Sequence, residues 1–207
     1  MKILIYTILV KEPRHYLPML RLMWSSIDMF GALGPKSCEF LVIGNAHCLK
    51  EITTVERPAF ISQLHAMEIP AEADLHDSLL RKLDIAEFSG VMSYDRVFYM
   101  DVDIIVQGPL RPLLESPKVE KGILYAARER KDFNHPFFGF GKYSAKEKRA
   151  MHKLGSRTFN DGTFLFEPCP EILAAFREIK AFANAKENEP LRKEIYDQSF
   201  LDRKSVV

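Results

Sequence analysis

An α/β fold, with an open and mostly parallel sheet and helices on both faces, is what the sequence predicts, and three observations carry that prediction. The chain begins with an apolar run, ILIYTIL at residues 3–9, followed by a helical pattern and then a second short apolar run, EFLVI at 39–43. Strand, helix, strand in that order calls for a right-handed crossover. Mid-chain, Val97-Phe98-Tyr99-Met100 forms a block of β-branched and aromatic residues directly before Asp101 and Asp103. That is the pattern of an interior strand with two carboxylates at its carboxyl end. In open α/β sheets that edge is where ligands bind, because loops and helix N-termini converge there.

Composition narrows the function classes. The chain has 207 residues, 47% apolar and 28% charged, with 15 phenylalanines, a globular composition sized for one well-buried domain. A formal net charge of +1 leaves no electrostatic case for nucleic acid as partner. Cys38, Cys48 and Cys169 are odd in number and lack a CxxC spacing, which argues against a disulfide scaffold and a zinc site and for small buried hydrophobes. No stretch approaches the roughly twenty apolar residues of a membrane span. The opening MKILIYTILV lacks a cleavage site and runs at once into KEPRH, so it reads as a first strand rather than a signal peptide.

Taken in order, the strand at 3–9 starts at the very N-terminus and is expected to be central, with Thr7 and the loop through Arg14 at its carboxyl end. Residues 16–30 carry Leu20, Met23, Trp24 and Ile27 on one helical face, with Pro18 in the first turn and Gly31 and Gly34-Pro35 as stops. The strand at 39–43 is ended by Gly44-Asn45. Residues 51–75 are weakly patterned, with an extended piece expected at 52–55 and one or two helical turns at 59–67. Residues 74–88 read as a helix striped by Leu75, Leu79, Leu83 and Ala86 or Phe88. Arg81 and Lys82 sit together on it, as a solvated flank would also have them.

After the central strand, Gly108-Pro109 and Arg111-Pro112 break the chain, and Leu110 with Leu113-Leu114 should dock a short helical turn on the core. A strand is expected at 122–127. Residues 128–141 form an aromatic-rich loop of a length usually kept for lids or binding loops, although a hydrophobic plug over the sheet is equally economical. A basic helix follows at 144–154. Next comes a strand at 163–166 introduced by Asn160-Asp161-Gly162, which turn chemistry alone would explain. A helix at 171–183 turns Ile172, Ala175, Phe176 and Ile179 inward, and a loosely helical polar tract spans 187–194.

Two carboxylates two residues apart can share one hard cation, with a diphosphate completing its shell; a strand cap and a turn residue are the alternative for an isolated pair. Two further pairs, Asn160/Asp161 and Asp197/Gln198, fall near predicted strand ends, and Lys82 precedes the first pair by one helix and one strand. The segments LRKLDIAEFSGVMSYDRVFYMDVDIIVQGPL, FNDGTFLFEPCPE and DQSFL, together with the N-terminal strand and helix, resemble in letters, order and spacing the retaining glycosyltransferases of family 8. That group includes glycogenin and galactinol synthase, and the resemblance runs from Ile3 to about Leu201.

The resemblance implies a GT-A type nucleotide-diphospho-sugar transferase fold, a single domain over residues 1–201, and transfer of a hexose from UDP-glucose or UDP-galactose to the hydroxyl of an unidentified acceptor. It implies that Asp101 and Asp103 hold Mn²⁺ (or Mg²⁺), that Lys82 with Arg81 beside it reaches the donor, and that Thr7 and Tyr16 meet the nucleobase. The Val102 backbone would lie near the ribose. Asn160 and Asp161 would contact the donor sugar, with Gly162 permitting close backbone approach, and Asp197 and Gln198 would lie beneath the transferred sugar. Asp197, Gln198 and Asp161 are thus the expected catalytic residues. No general base is assigned: attack from the leaving-group face is the expected course and covalent catalysis by Asp161 or Asp197 the alternative.

Departures from the family pattern are specific. A downstream segment resembling HxxGxxKPW supplies the family's third protein ligand and a diphosphate-clamping lysine; this sequence has none, and His76, His135 and His152 stand in the wrong context. The last six residues, DRKSVV, are one reading frame of GATCGGAAGAGCGTCGTG, the start of a common sequencing adapter. Residues 202–207 are therefore expected to be non-native and the domain C-terminally incomplete. Two alternatives stay open on the residues: a non-catalytic nucleotide-sugar or carbohydrate-binding protein, and a haloacid-dehalogenase-like phosphatase. The latter would carry its motif on the first strand, with Thr or Val where Ile105 stands. The missing signal favours the cytoplasm, or the Golgi if an N-terminal anchor precedes the chain.

Overall fold

A computed structural model describes residues 1–10, 13–70, 80–128 and 159–185, together with 145, 146, 149 and 188. Its six strands are β1 (Ile3–Leu9), β2 (Cys38–Gly44), β3 (Ile61–Glu68), β4 (Arg96–Met100), β5 (Tyr125–Arg128) and β6 (Phe159–Phe166). They form one sheet in the order β3-β2-β1-β4-β6-β5. β1 pairs in parallel with β2 and β4, and β2 with β3. β6 runs antiparallel to both of its neighbours. The mostly parallel α/β sheet and the central β1 are therefore as the sequence predicts, while the reversal of β6 is a feature of the tertiary structure.

Helices α1 (Pro13–Phe30) and α2 (Ala46–Ile52) are followed in the chain by the one-turn helix α3 (Arg111–Leu114) and by α4 (Pro170–Asn184). Alternation along the strands divides the core into two layers. On one face Ile5, Phe40, Val42 and Phe98 meet Leu20, Met23, Trp24 and Ile27 of α1. Each of those four α1 side chains is buried, a contribution of roughly 1.5–3 kcal/mol for a fully buried side chain of this size. On the other face Leu4, Tyr6, Leu41, Tyr99 and Phe164 are covered by a 3-10 segment, Leu80–Glu87, and by Ile172, Leu173, Phe176 and Ile179 of α4. Leu114 of α3 is fully buried, as expected of a docked turn, but Leu113 is exposed.

Three local expectations are corrected. Residues 59–67 are not helical: Ile61–Glu68 is the edge strand β3, with Leu64 packed against one core layer, Met67 against the other, and exposed residues on both faces. Residues 52–55 are not extended either. Ile52 ends α2, which begins where the Asn45 side chain accepts from the Cys48 N–H at 2.9 Å, so the Gly44-Asn45 strand stop is also an N-cap. Finally, the described part of the predicted 74–88 helix is a 3-10 helix, Leu80–Glu87, and residues 71–79 lie outside the described residues, as do most of 128–141, 144–154 and 187–194.

The 3-10 segment is held by ionic contacts as well as by apolar ones. Asp84, buried at 3% side-chain exposure, accepts from Arg81 at 3.1 Å and from Lys180 of α4. Arg177 of α4 donates to the Ala86 carbonyl and pairs with Glu87 at 2.9 Å. Two turns of α4 thus grip the segment that carries Lys82.

Near the amino-terminal end of β2 Glu39 gathers three partners. The Tyr94 hydroxyl donates to Oε2 at 2.6 Å, His65 Nε2 lies 2.6 Å from the same atom, and Lys2 Nζ is 3.2 Å from Oε1. Burial pushes the Glu39 carboxyl up, but the hydrogen bonds from Tyr94, His65 and Lys2 outweigh it and hold the group below its ordinary value. A carboxyl whose value is lower folded than unfolded stabilises the fold above its unfolded value, about 4.3, and loses that contribution as pH falls through the native value. Unfolding midpoints of the parent and Glu39→Gln should accordingly differ at pH 7 and converge as the pH falls below the unfolded value and through the native one.

The three cysteines are buried and unbridged, as the spacing predicts. Burial pushes the Cys38 thiol up to about 12, and its Sγ donates to the Phe60 carbonyl at 3.6 Å. Since only an accessible thiolate reacts, Ellman's reagent at pH 8 should titrate none of the three rapidly in the native protein and all three in denaturant.

Candidate functional site

β4 ends at Met100, yet its ladder with β6 continues for one more bond, from the Asp101 N–H to the Gly162 carbonyl at 2.7 Å. The Asp101 carbonyl then accepts from the Ile104 N–H at 3.1 Å, closing a turn in which Val102 is buried and Asp103 exposed. Both carboxylates therefore stand at the carboxyl edge of the parallel strands, where the sequence places them. Because β6 runs the other way, its amino-terminal end reaches the same edge.

Register supplies the rest. Ala126 of β5 pairs with Phe164, but the next residue, Ala127, pairs with Asn160. Asp161, Gly162 and Thr163 are left without a β5 partner in a bulge of the kind that re-aims side chains next to functional sites. The expected Asn160-Asp161-Gly162 turn in front of a strand is thus part of β6 itself. Asn160 Oδ1 accepts from the Gly162 N–H at 2.9 Å. A Cβ at 162 would lie 2.9 Å from both Asp101 Oδ2 and Asn160 Oδ1, so only glycine lets the two strands bring these groups together.

Lys82 comes to the same place from below. Its side chain is only 2% exposed, and Nζ donates to the Asp161 carbonyl at 3.1 Å and lies 3.3 Å from Asp161 Oδ2. A buried ammonium is stable only when paired; here the Tyr99 ring, with its centroid 5.1 Å from Nζ, adds a π face. The Tyr6 hydroxyl donates to the Lys82 carbonyl at 2.8 Å, tying the 3-10 segment to β1. Burial, reinforced by the Asp101 and Asp84 charges, pushes the Tyr6 phenol well above its ordinary value and keeps it a donor. The solvated-flank explanation of Lys82 is overturned.

The other expected residues are placed as follows. Arg81 is turned to Asp84 at 3.1 Å. Tyr16 is half-buried on α1, and its phenol is pushed up first by burial and then by Asp103, with smaller effects of Cys48 and Asp101, which puts it within electrostatic reach of the pair. Thr7 is fully buried, and its hydroxyl has no hydrogen-bond partner among the described residues. By strand alternation it shares the α1 face of β1, whereas Tyr6 and Lys82 occupy the other. Asp197 and Gln198 lie outside the described residues. Among the described residues no group of three or more His, Cys, Asp or Glu converges as a metal site. Asp101 and Asp103 offer carboxylate oxygens alone, a donor set that fits a hard divalent cation sharing its shell with phosphate oxygens and water.

Residues 27–188, more than three quarters of the 207-residue chain, match the family model for glycosyl transferase family 8. The chain belongs to that family. No curated protein matches it. A family 8 glycosyltransferase is an enzyme of the nucleotide-sugar type, and the six-stranded, mostly parallel sheet agrees with a GT-A-like fold. The matched span contains Lys82, Asp101, Asp103 and Asn160–Gly162 and leaves out Thr7, Tyr16, Asp197 and Gln198. Membership in family 8 removes the phosphatase alternative. No described helix of this family 8 chain is long and apolar enough to cross a membrane.

Two residues that pack against the candidate site are given no functional role in the sequence reading. Tyr6 and Tyr99 count there only as apolar strand positions. A signal existed for Tyr99: it stands two residues before Asp101, and a strand's period of two puts such residues on one face.

Proposed function

We propose that this chain transfers a hexose from UDP-glucose or UDP-galactose to an acceptor hydroxyl with retention of configuration and with the assistance of Mn²⁺ or Mg²⁺. The observation that supports the reading best is the bond from the Asp101 N–H to the Gly162 carbonyl at 2.7 Å, which joins the carboxylate pair to Asn160 and Asp161 across two strands. Asp101 and Asp103 would hold the cation, which when bound stabilises the charge gathering on the departing diphosphate. Lys82 orients Asp161 through its ammonium and places positive charge beside the donor. Asn160 and Asp161 meet the sugar, Tyr16 meets the base, and the Val102 backbone lies by the ribose. Thr7 belongs to the base side as a buried hydroxyl in need of a partner, and Arg81, next to Lys82 in the chain and paired with Asp84 at 3.1 Å, adds positive charge on the donor side.

The acceptor oxygen attacks the anomeric carbon from the face the diphosphate leaves. Its proton passes to a phosphate oxygen of the leaving group. Asp197 and Gln198 are assigned beneath the sugar, where Asp197 stabilises the positive charge that develops on the ring. Residues 1–201 are taken as one catalytic domain and 202–207 as a non-native tail.

Calorimetric titration of UDP and of UDP-glucose, with Mn²⁺ and with EDTA, tests the reading. Binding that tightens at least about tenfold with metal is expected. Absence of UDP binding in both conditions sinks the proposal, and metal-independent binding without sugar release would make the chain a non-catalytic binding protein.

A further inference from the structure

We propose that Tyr99 is a positioning residue for the Asp101 carboxylate, an inference that rests on the metal-assisted reading above and adds to it the group that aims its first ligand. The Tyr99 hydroxyl donates to Asp101 Oδ1. Its ring is 0% exposed, stacked on Phe164 at 4.9 Å between centroids and an interplanar angle of 28°, and tilted against Tyr6 at 4.9 Å. Lys82 Nζ lies 5.1 Å from the ring centroid. Residues of β1, β6 and the 3-10 segment therefore surround the phenol, and its donor is fixed relative to the backbone.

That rigidity matters because Asp101 is itself only partly buried. A carboxylate torsion is broad and roughly two-fold when nothing holds it. Hydrogen bonding at Oδ1 sets the plane of the group, while Oδ2 faces position 162 at the spacing a Cβ there would not tolerate, 2.9 Å. The Asp101 N–H bond to Gly162 at 2.7 Å holds the main chain in the same way. Ordering the carboxylate in advance removes part of what a cation would otherwise have to order on binding. Tyr99 touches neither donor nor acceptor; it acts through Asp101.

Tyr99→Phe in the full chain keeps the ring and removes the donor. Mn²⁺ binding in the presence of UDP, followed by the electron paramagnetic resonance signal of free Mn²⁺, should weaken about tenfold. UDP affinity in EDTA should stay as in the parent, and in an Asp101→Asn background the tyrosine change should produce no further loss. Equal Mn²⁺ affinity in parent and Tyr99→Phe overturns this inference alone, whereas a parent that binds no Mn²⁺ with UDP overturns the proposed function with it. UDP affinity in EDTA that falls by the same factor would mean a general distortion and also overturns it. One measurement needs no variant. The buried Tyr99 hydroxyl proton should exchange slowly with solvent and be broadened by Mn²⁺ with UDP but not by Mg²⁺ with UDP; an unbroadened resonance at saturating Mn²⁺ overturns the inference whatever the variant's stability.

Discussion

Lys82→Met is expected to lower stability by about 3 kcal/mol and kcat/KM for sugar transfer by at least about a hundredfold. Methionine replaces the buried methylenes, so the loss is electrostatic. Breaking a buried ion pair from one side strands the remaining charge, at a cost of roughly 3–5 kcal/mol. Asp161 keeps 14% exposure against 2% for Lys82, so water repays part of that cost and the low end of the range applies. The rate effect has a different origin. Without the ammonium, Asp161 is no longer held at 3.3 Å on one oxygen and 3.1 Å on its carbonyl, and the bulge loses the tie to the 3-10 segment that aims it. Urea midpoints and transfer kinetics check the two effects separately. An unchanged midpoint would show that the Lys82–Asp161 pair is not buried in solution, and unchanged kinetics would remove Asp161 from the site.

Gly162→Ala should leave the fold largely intact and reduce kcat/KM about a hundredfold, with a matching loss of metal-dependent UDP affinity. The added Cβ would sit 2.9 Å from Asp101 Oδ2 and from Asn160 Oδ1. Both neighbours are ends of side chains, so they yield more readily than backbone would, and stability falls by only about 1–2 kcal/mol. The yielding is what harms the site: a carboxylate moved by an ångström from its working position costs on the order of 10² in rate. Retained metal affinity in a well-folded Gly162→Ala would show that the Asp101 carboxylate has another working position.

Much of this molecule is written in local patterns. ILIYTIL, EFLVI and VFYM are strands because unbroken apolar runs of that length suit a sheet covered on both faces. The α1 stripe of Leu20, Met23, Trp24 and Ile27 is buried as its spacing requires. Residues 46–68 were less legible because α2 is short and depends on a side-chain cap, and because β3 is an edge strand whose polar residues blur its alternation. The leucine stripe of the 3-10 segment predicts a helix, but the ionic contacts that fix its place, Lys180 on Asp84 and Arg177 on the Ala86 carbonyl, reach from α4 nearly a hundred positions away.

Asp101, Asp103, Lys82, Asn160, Asp161 and Gly162 were all visible as chemistry-bearing residues, because carboxylates at a strand end and glycine beside an amide are local signals. Their assembly was not. It depends on β6 running antiparallel between β4 and β5, on a bulge that frees Asp161–Thr163 from β5, and on burial of a lysine that local pattern assigned to solvent. Strand direction and register are settled by side chains packing across the sheet, where Tyr6, Tyr99 and Phe164 form one aromatic cluster. Residues decide which groups are present at the edge; only the closed core decides that Lys82 and Asp161, 79 positions apart, must share one buried charge pair.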